Sequence, residues 1–192
     1  FQRFGDFAWA AGDQRSRGFL LGGTAGRTTL NGEGLQHEDG HSHMQAALIP
    51  NCIPYDPTFA YEVAVIVREG IRRMYTEHED VYYYMTLLNE NYAHPEMPEG
   101  SEHGILKGLH QIGEHKGSKG HVQLMGSGSI LQEVIAGAKL LADEWGIGSD
   151  IWSATSFTLL AREAADVERY NRLHPTGKPR TAYLNEVLAG KE

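Results

Sequence analysis

The sequence predicts an α/β fold, and three observations carry that expectation. Val81 to Leu88 (VYYYMTLL) is an unbroken β-favouring run bounded by Asp80 and Asn89, as expected of a strand buried on both faces of a parallel sheet. From Thr58 to Tyr75 the apolar residues Phe59, Val63, Ile66, Val67, Ile71 and Met74 recur at intervals of three and four, the period of an amphipathic helix. Beyond His121, strand-like and helix-like segments alternate as β-α-β-α. That order implies parallel strands joined by right-handed crossovers in a three-layer domain.

In chain order, Phe7, Trp9, Ala10, Ala11, Phe19 and Leu20 among Asp13, Gln14, Arg15 and Arg17 suit a helix entered at Asp6 and ended near Gly18. Met44 to Ile49 reads as a short helix stopped by Pro50, and Asn51 to Tyr55 as a short strand leading into Asp56-Pro57. Thr58 or Asp56 is available to cap the amphipathic helix. The polar cluster Asn89-Glu90-Asn91-Tyr92 would then lie at the carboxyl end of a central strand, where open α/β sheets place ligands, or be simply a polar turn. Pro95, Pro98 and Gly100 mark a boundary, Ile105 to Ile112 a short helix, and Gly113 to Gly120 a second glycine-rich linker. Val122 to Met125 and Asp150 to Ser153 read as strands, Ile130 to Trp145 and Phe157 to Tyr170 as helices. Gly126-Ser127-Gly128-Ser129 sits between strand and helix, but it lacks the third glycine of a dinucleotide loop and the lysine of a Walker loop. A structural turn with a serine helix cap is the better reading.

Composition narrows the function classes. With 41% hydrophobic residues, a chain of 192 residues can bury a normal core. The net charge of -8, with 17 scattered basic residues, argues against a nucleic-acid partner. No apolar run approaches the roughly 18 residues that a membrane-spanning helix needs, so no membrane is implicated, and nothing resembles a signal peptide. The lone cysteine, Cys52, allows no internal disulfide and fits a reducing, cytoplasmic setting. The chain opens at Phe1 without a methionine, as expected either of a piece of a longer polypeptide or of a chain whose ends have been removed.

The chemistry-bearing stretch is Gly26 to His43, GRTTLNGEGLQHEDGHSH. It gathers His37, His41 and His43 with Glu33, Glu38 and Asp39, and has neither a helical nor an alternating apolar period. Such loops are where binding and catalytic groups concentrate. Glu33 and His37 are four apart, so a single helical turn would put carboxylate and imidazole on one face, orienting the ring and raising its proton affinity. Two other readings stay open. The histidines and acids could bind a metal, although no zinc spacing such as H-E-x-x-H is present. Alternatively Asp39-Gly40 is a turn, Ser42 a helix cap, and the histidines are merely solvated.

GRTTLNGEGLQHEDGHSH, YDPTFAYEVA, VYYYMTLLNENY with MPEG, KGHVQLMGSGSIL, SDIWSATSF and LHP with KPRTAYL together resemble successive blocks of the homodimeric bacterial pyruvate dehydrogenases. These are the thiamine-diphosphate-dependent decarboxylating components of the pyruvate dehydrogenase multienzyme complex. The resemblance spans essentially the whole chain. It implies a transketolase-like α/β fold: residues 1–97 as the latter part of the middle, pyrimidine-binding domain, and residues 98–192 as most of a three-layer carboxyl-terminal domain. It further implies decarboxylation of pyruvate on thiamine diphosphate and reductive acetylation of the lipoyl group of dihydrolipoyl acetyltransferase. The cofactor carries the hard chemistry and the protein supplies orientation and proton transfer. His37 matches the active-centre histidine of the GEGLQH block and Glu33 the glutamate that would orient it. Asp39, His41 and His43 are implied as loop-shaping or supporting residues. The Mg2+ and diphosphate ligands are expected in an amino-terminal domain outside this segment, so the segment alone should be inactive. The alternatives are another transketolase-like thiamine enzyme, either a transketolase or a different 2-oxo acid decarboxylase, and a non-catalytic interaction module.

Overall fold

A computed structural model describes residues 3–23, 40–88 and 90–191. Six strands form two three-stranded sheets. The first has the order β1-β3-β2, where β1 is Phe19–Gly23, β2 Cys52–Tyr55 and β3 Tyr82–Leu87, and all three run parallel. The central strand is the VYYYMTLL run. Its Tyr83 and Met85 pack with Ile53, Val65, Ile66 and Met74 on one face, while Tyr82 and Tyr84 pack with Ala8, Ala46 and Ile49 on the other. The first group lies under α3 (Ala60–Ile71), the second under α1 (Gly5–Asp13) and α2 (Ser42–Leu48). Helices on both faces explain why the strand carries an uninterrupted apolar and aromatic run instead of an alternating one.

The second sheet has the order β4-β6-β5, with β4 His110–His115, β5 Gly120–Gly126 and β6 Ile147–Ser153. Strands β5 and β6 are parallel, as the alternation predicts. One face packs Leu124 and Ile151 against α5 (Leu131–Leu140), and the other packs Trp152 and Ala154 against α6 (Phe157–Leu173) and α7 (Tyr183–Val187). Helix α4 (Glu102–Lys107) lies between the two sheets in sequence.

Several expectations are corrected. The first helix ends at Asp13, not near Gly18: Arg15 and Gly18 take φ of +53° and +150°, which turn the chain out of the helix. Phe19 and Leu20 then form β1, the edge strand beside β3. The helix expected over Ile105 to Ile112 stops at Lys107, where Gly108 is left-handed at φ +105°. The next residues form β4, antiparallel to β6, and Gly113, read as linker, is the point of a register shift in that strand. The amphipathic helix breaks into a π turn at Arg72–Thr76, and neither Thr58 nor Asp56 caps it. The N–H groups of Thr58 and Phe59, immediately before its first residue Ala60, donate instead to the Glu62 carboxylate at 2.6 and 3.0 Å. At α2 the N-cap position falls on His41, and Ser42 is the first helical residue.

Candidate functional site

Because β1, β2 and β3 are parallel, their last residues Gly23, Tyr55 and Leu87 line one edge of the first sheet. The histidine-rich stretch leaves this edge at Gly23 and re-enters the described chain at Gly40, just before α2. Glu33, His37 and Asp39 lie outside the described residues. His41 is exposed at the start of α2, whereas His43, one residue into the helix, is turned onto the sheet edge.

His43 Nε2 lies 3.1 Å from Thr86 Oγ1, and its ring centroid is 5.2 Å from that of Tyr84. The Thr86 hydroxyl in turn donates to Asp56 Oδ1, which is 3.8 Å from His43 Nε2. Thr86 is the penultimate residue of β3 and fully buried, and Asp56 follows β2 directly and is 6% exposed. The second carboxylate oxygen accepts from the Ser127 hydroxyl at 2.8 Å. The Asp56 backbone is held as well, its N–H by the Thr155 carbonyl and its carbonyl by the Gly128 N–H. The Ser127 hydroxyl and Gly128 N–H of the GSGS turn are therefore committed to Asp56. This supports the structural reading of that turn, although Ser127 serves as an inter-sheet tie and not as a helix cap. Nothing in the sequence points to Thr86, or to a joint site for Asp56, Thr86 and Ser127, since their contacts span 30 and 71 residues and follow no local period.

A second buried carboxylate, Glu62, lies on the same stretch of chain. Its Oε2 accepts the Thr58 and Phe59 N–H groups, and its Oε1 accepts from His110 Nε2 at 2.7 Å and the Ser153 hydroxyl at 2.6 Å. Glu62 is 0% exposed and His110 4%, so this arrangement is closed to solvent. It joins α3 to β4 and β6 across the sheet boundary. Nearby, Tyr92 donates its hydroxyl to the Thr58 carbonyl. Burial, together with the Glu62, Glu90 and Asp56 carboxylates, pushes that phenol up to about 12. Tyr92 is thus a structural tie, and Asn89 of the same polar cluster lies outside the described residues. Among the described residues no three His, Cys, Asp or Glu side chains are grouped to hold a metal ion.

Residues 1–95 match the family described as pyruvate dehydrogenase E1 component middle domain, and residues 108–192 match the transketolase-like TK C-terminal domain. The chain is 63% identical over 189 residues to the pyruvate dehydrogenase E1 component of Cupriavidus necator, covering 97% of this chain and 21% of that protein. It is 62% identical to the one from Escherichia coli K12, covering 98% and 21%. The chain belongs to the pyruvate dehydrogenase E1 family. It spans about a fifth of the length of these E1 relatives. Among solved structures, transketolase from Campylobacter jejuni superposes with a TM-score of 0.59 at 16% identity, over 86% of this chain and 25% of that one. Leishmania mexicana transketolase gives 0.59 at 13%, over 88% and 24%. Those likenesses establish a transketolase-like fold shared by this E1 segment.

Proposed function

We propose that this chain is the part of a homodimeric pyruvate dehydrogenase that contributes the substrate-side rim of the active centre. The reaction is decarboxylation of pyruvate on thiamine diphosphate, followed by reductive acetylation of the lipoyl group of dihydrolipoyl acetyltransferase, in the cytoplasm. The observation that carries the reading is the set of ionisable and hydroxyl groups at the carboxyl edge of a parallel sheet, flanking both ends of the segment with His37 and Glu33. That edge is where α/β sheets bind ligands. The names of the relatives, at 62–63% identity, supply the substrate, pyruvate, and the lipoyl acceptor is what the family resemblance implies. The transketolase alternative rests on 13–16% identity, which speaks to fold only. Residues 1–97 would form the middle-domain portion and residues 98–192 the carboxyl-terminal domain.

The described residues fit orientation and proton handling better than a grip on diphosphate, because the glycine-rich turn 126–129 spends donors on Asp56. Mg2+ and the diphosphate group are accordingly assigned to polypeptide outside this segment. When bound, thiamine diphosphate supplies the electron sink for decarboxylation. His37 would meet the substrate carboxylate and move protons, with Glu33 orienting its ring. In the full-length enzyme, His37→Ala should lower pyruvate turnover on the order of 100-fold or more while thiamine diphosphate affinity stays near normal. Glu33→Gln should act more mildly and shift the pH profile. Wild-type turnover in the His37 variant removes that residue from the mechanism.

A further inference from the structure

We propose that Asp56 and Thr86 are a positioning pair that sets the tautomer and charge state of His43, the imidazole closing the active-site segment, with Ser127 as their anchor in the second sheet. The inference rests on the active-centre reading above and gives individual roles to Asp56, Thr86 and Ser127, which that reading counts only as groups at the sheet edge.

The direction of the hydrogen bonds follows from chemistry. An ionised carboxylate only accepts, so the Thr86 hydroxyl must donate to Asp56 Oδ1 and has only lone pairs left for its other neighbour. His43 Nε2, 3.1 Å from that oxygen, is therefore the donor, and the ring is held with its proton on Nε2. Nδ1 is then the nitrogen that gains and loses a proton. Among the described residues, the titratable groups facing the ring include Asp56 from the end of β2 and Tyr84 from β3. A carboxylate 3.8 Å away favours the imidazolium, whereas an amide in its place would keep the geometry and drop that bias.

The pair is also rigidly built. Thr86 sits in the central strand, paired with Gly22 of β1 and one residue past the last β2 pair, Tyr55 with Met85, and the Asp56 main chain is tied through its N–H to Thr155, just after β6, and through its C=O to Gly128, just after β5. Ser127 fixes the far carboxylate oxygen, so the carboxylate cannot rotate away from Thr86 without losing a buried partner. A histidine at the end of a polar loop is thereby referenced to the central strand of the first sheet.

The test uses the full-length holoenzyme and its pyruvate kinetics over pH. Thr86→Val removes the hydroxyl at nearly constant shape. It should reduce kcat on the order of 10- to 100-fold with thiamine diphosphate affinity unchanged, and Thr86→Ser should recover most of the loss. Asp56→Asn should move the limb of the pH profile governed by His43 to lower pH by about one unit. His43→Ala should abolish that shift when combined with Asp56→Asn. If Thr86→Val fails to fold, Asp56→Asn and Thr86→Ser decide alone. A pH profile in Asp56→Asn that superimposes on the wild type, or a Thr86→Ser enzyme as impaired as the valine variant, overturns the proposal. An inactive His37→Ala enzyme beside unaffected Thr86 and Asp56 variants sinks this pair and leaves the active-centre reading standing. A fully active His37→Ala enzyme sinks that reading itself.

Discussion

Asp56 and Glu62 stand on one short stretch of chain and both reach across the boundary between the two sheets, yet their surroundings differ. Glu62 accepts two fixed backbone N–H groups, an imidazole and a hydroxyl, and no face of it meets solvent. Asp56 accepts two hydroxyls, which can rotate, and lies beside an imidazole at the sheet edge where the histidine-rich segment begins and ends. A carboxylate with one oxygen held by two backbone N–H groups, in a site closed to solvent, is committed to one state and specifies how the sheets dock. A carboxylate surrounded by rotors and a titratable ring can tolerate a change in the charge beside it, which a catalytic rim needs.

The contrast breaks most severely at Glu62. Glu62→Ala leaves the donors at Thr58, Phe59, His110 and Ser153 unmet in a dry site, and urea unfolding should show a loss of about 3–5 kcal/mol. An unchanged midpoint would falsify the docking role. Gly128→Ala comes next. At φ +54° a side chain is strained, and its Cβ would lie 2.8 Å from Leu88 Cδ1 and 3.2 Å from Asp56 Oδ1. We expect about 1–3 kcal/mol of lost stability, read by the same unfolding curves, together with a disturbed pyruvate pH profile. Asp56→Asn should cost under about 1 kcal/mol in stability, because hydroxyls can donate to one side of the amide and accept from the other. A loss as large as that of Glu62→Ala would erase the distinction.

The smallest effect is expected at Asp150, which serves as a control because its side-chain partners are Gln123, His121 and Lys191. Burial alone would raise its pKa, but the Lys191 ammonium, Gln123 and His121 overcome this and hold it below the usual carboxylate value. A depressed carboxylate contributes stability above its unfolded pKa and loses it as pH falls through the folded value. Asp150→Asn should therefore lessen acid sensitivity only below about pH 4, by less than about 1 kcal/mol, since its partners are partly exposed. Equal acid sensitivity in variant and wild type would show that these contacts carry no net weight.

The sheet core was legible because burial on both faces imposes an uninterrupted apolar strand: VYYYMTLL could hardly be anything else once flanked by Asp80 and Asn89. The edge strands were not. Phe19 to Leu21 follow a helical pattern closely enough to be absorbed into it, and only Arg15 and Gly18, in conformations the sequence does not announce, separate the two. His110–His115 is a polar strand at the sheet margin with a register shift at Gly113, so neither alternation nor apolar content marks it. In the candidate site, the histidine segment is visible by composition. Its support is not, because a serine, a threonine and an aspartate distant in sequence look like ordinary turn and strand residues until the fold brings them together.

One contact gives the arrangement a further meaning. Arg162 of α6 donates to the carbonyls of Ala47, Ile49 and Cys52, so a guanidinium from the carboxyl-terminal half closes the end of α2, a helix of seven residues that carries His43. A helix that short has little stability of its own. Prising the two halves apart would therefore unravel the mooring of the histidine segment in the same event, making catalytic order at the rim inseparable from how firmly the halves are clasped.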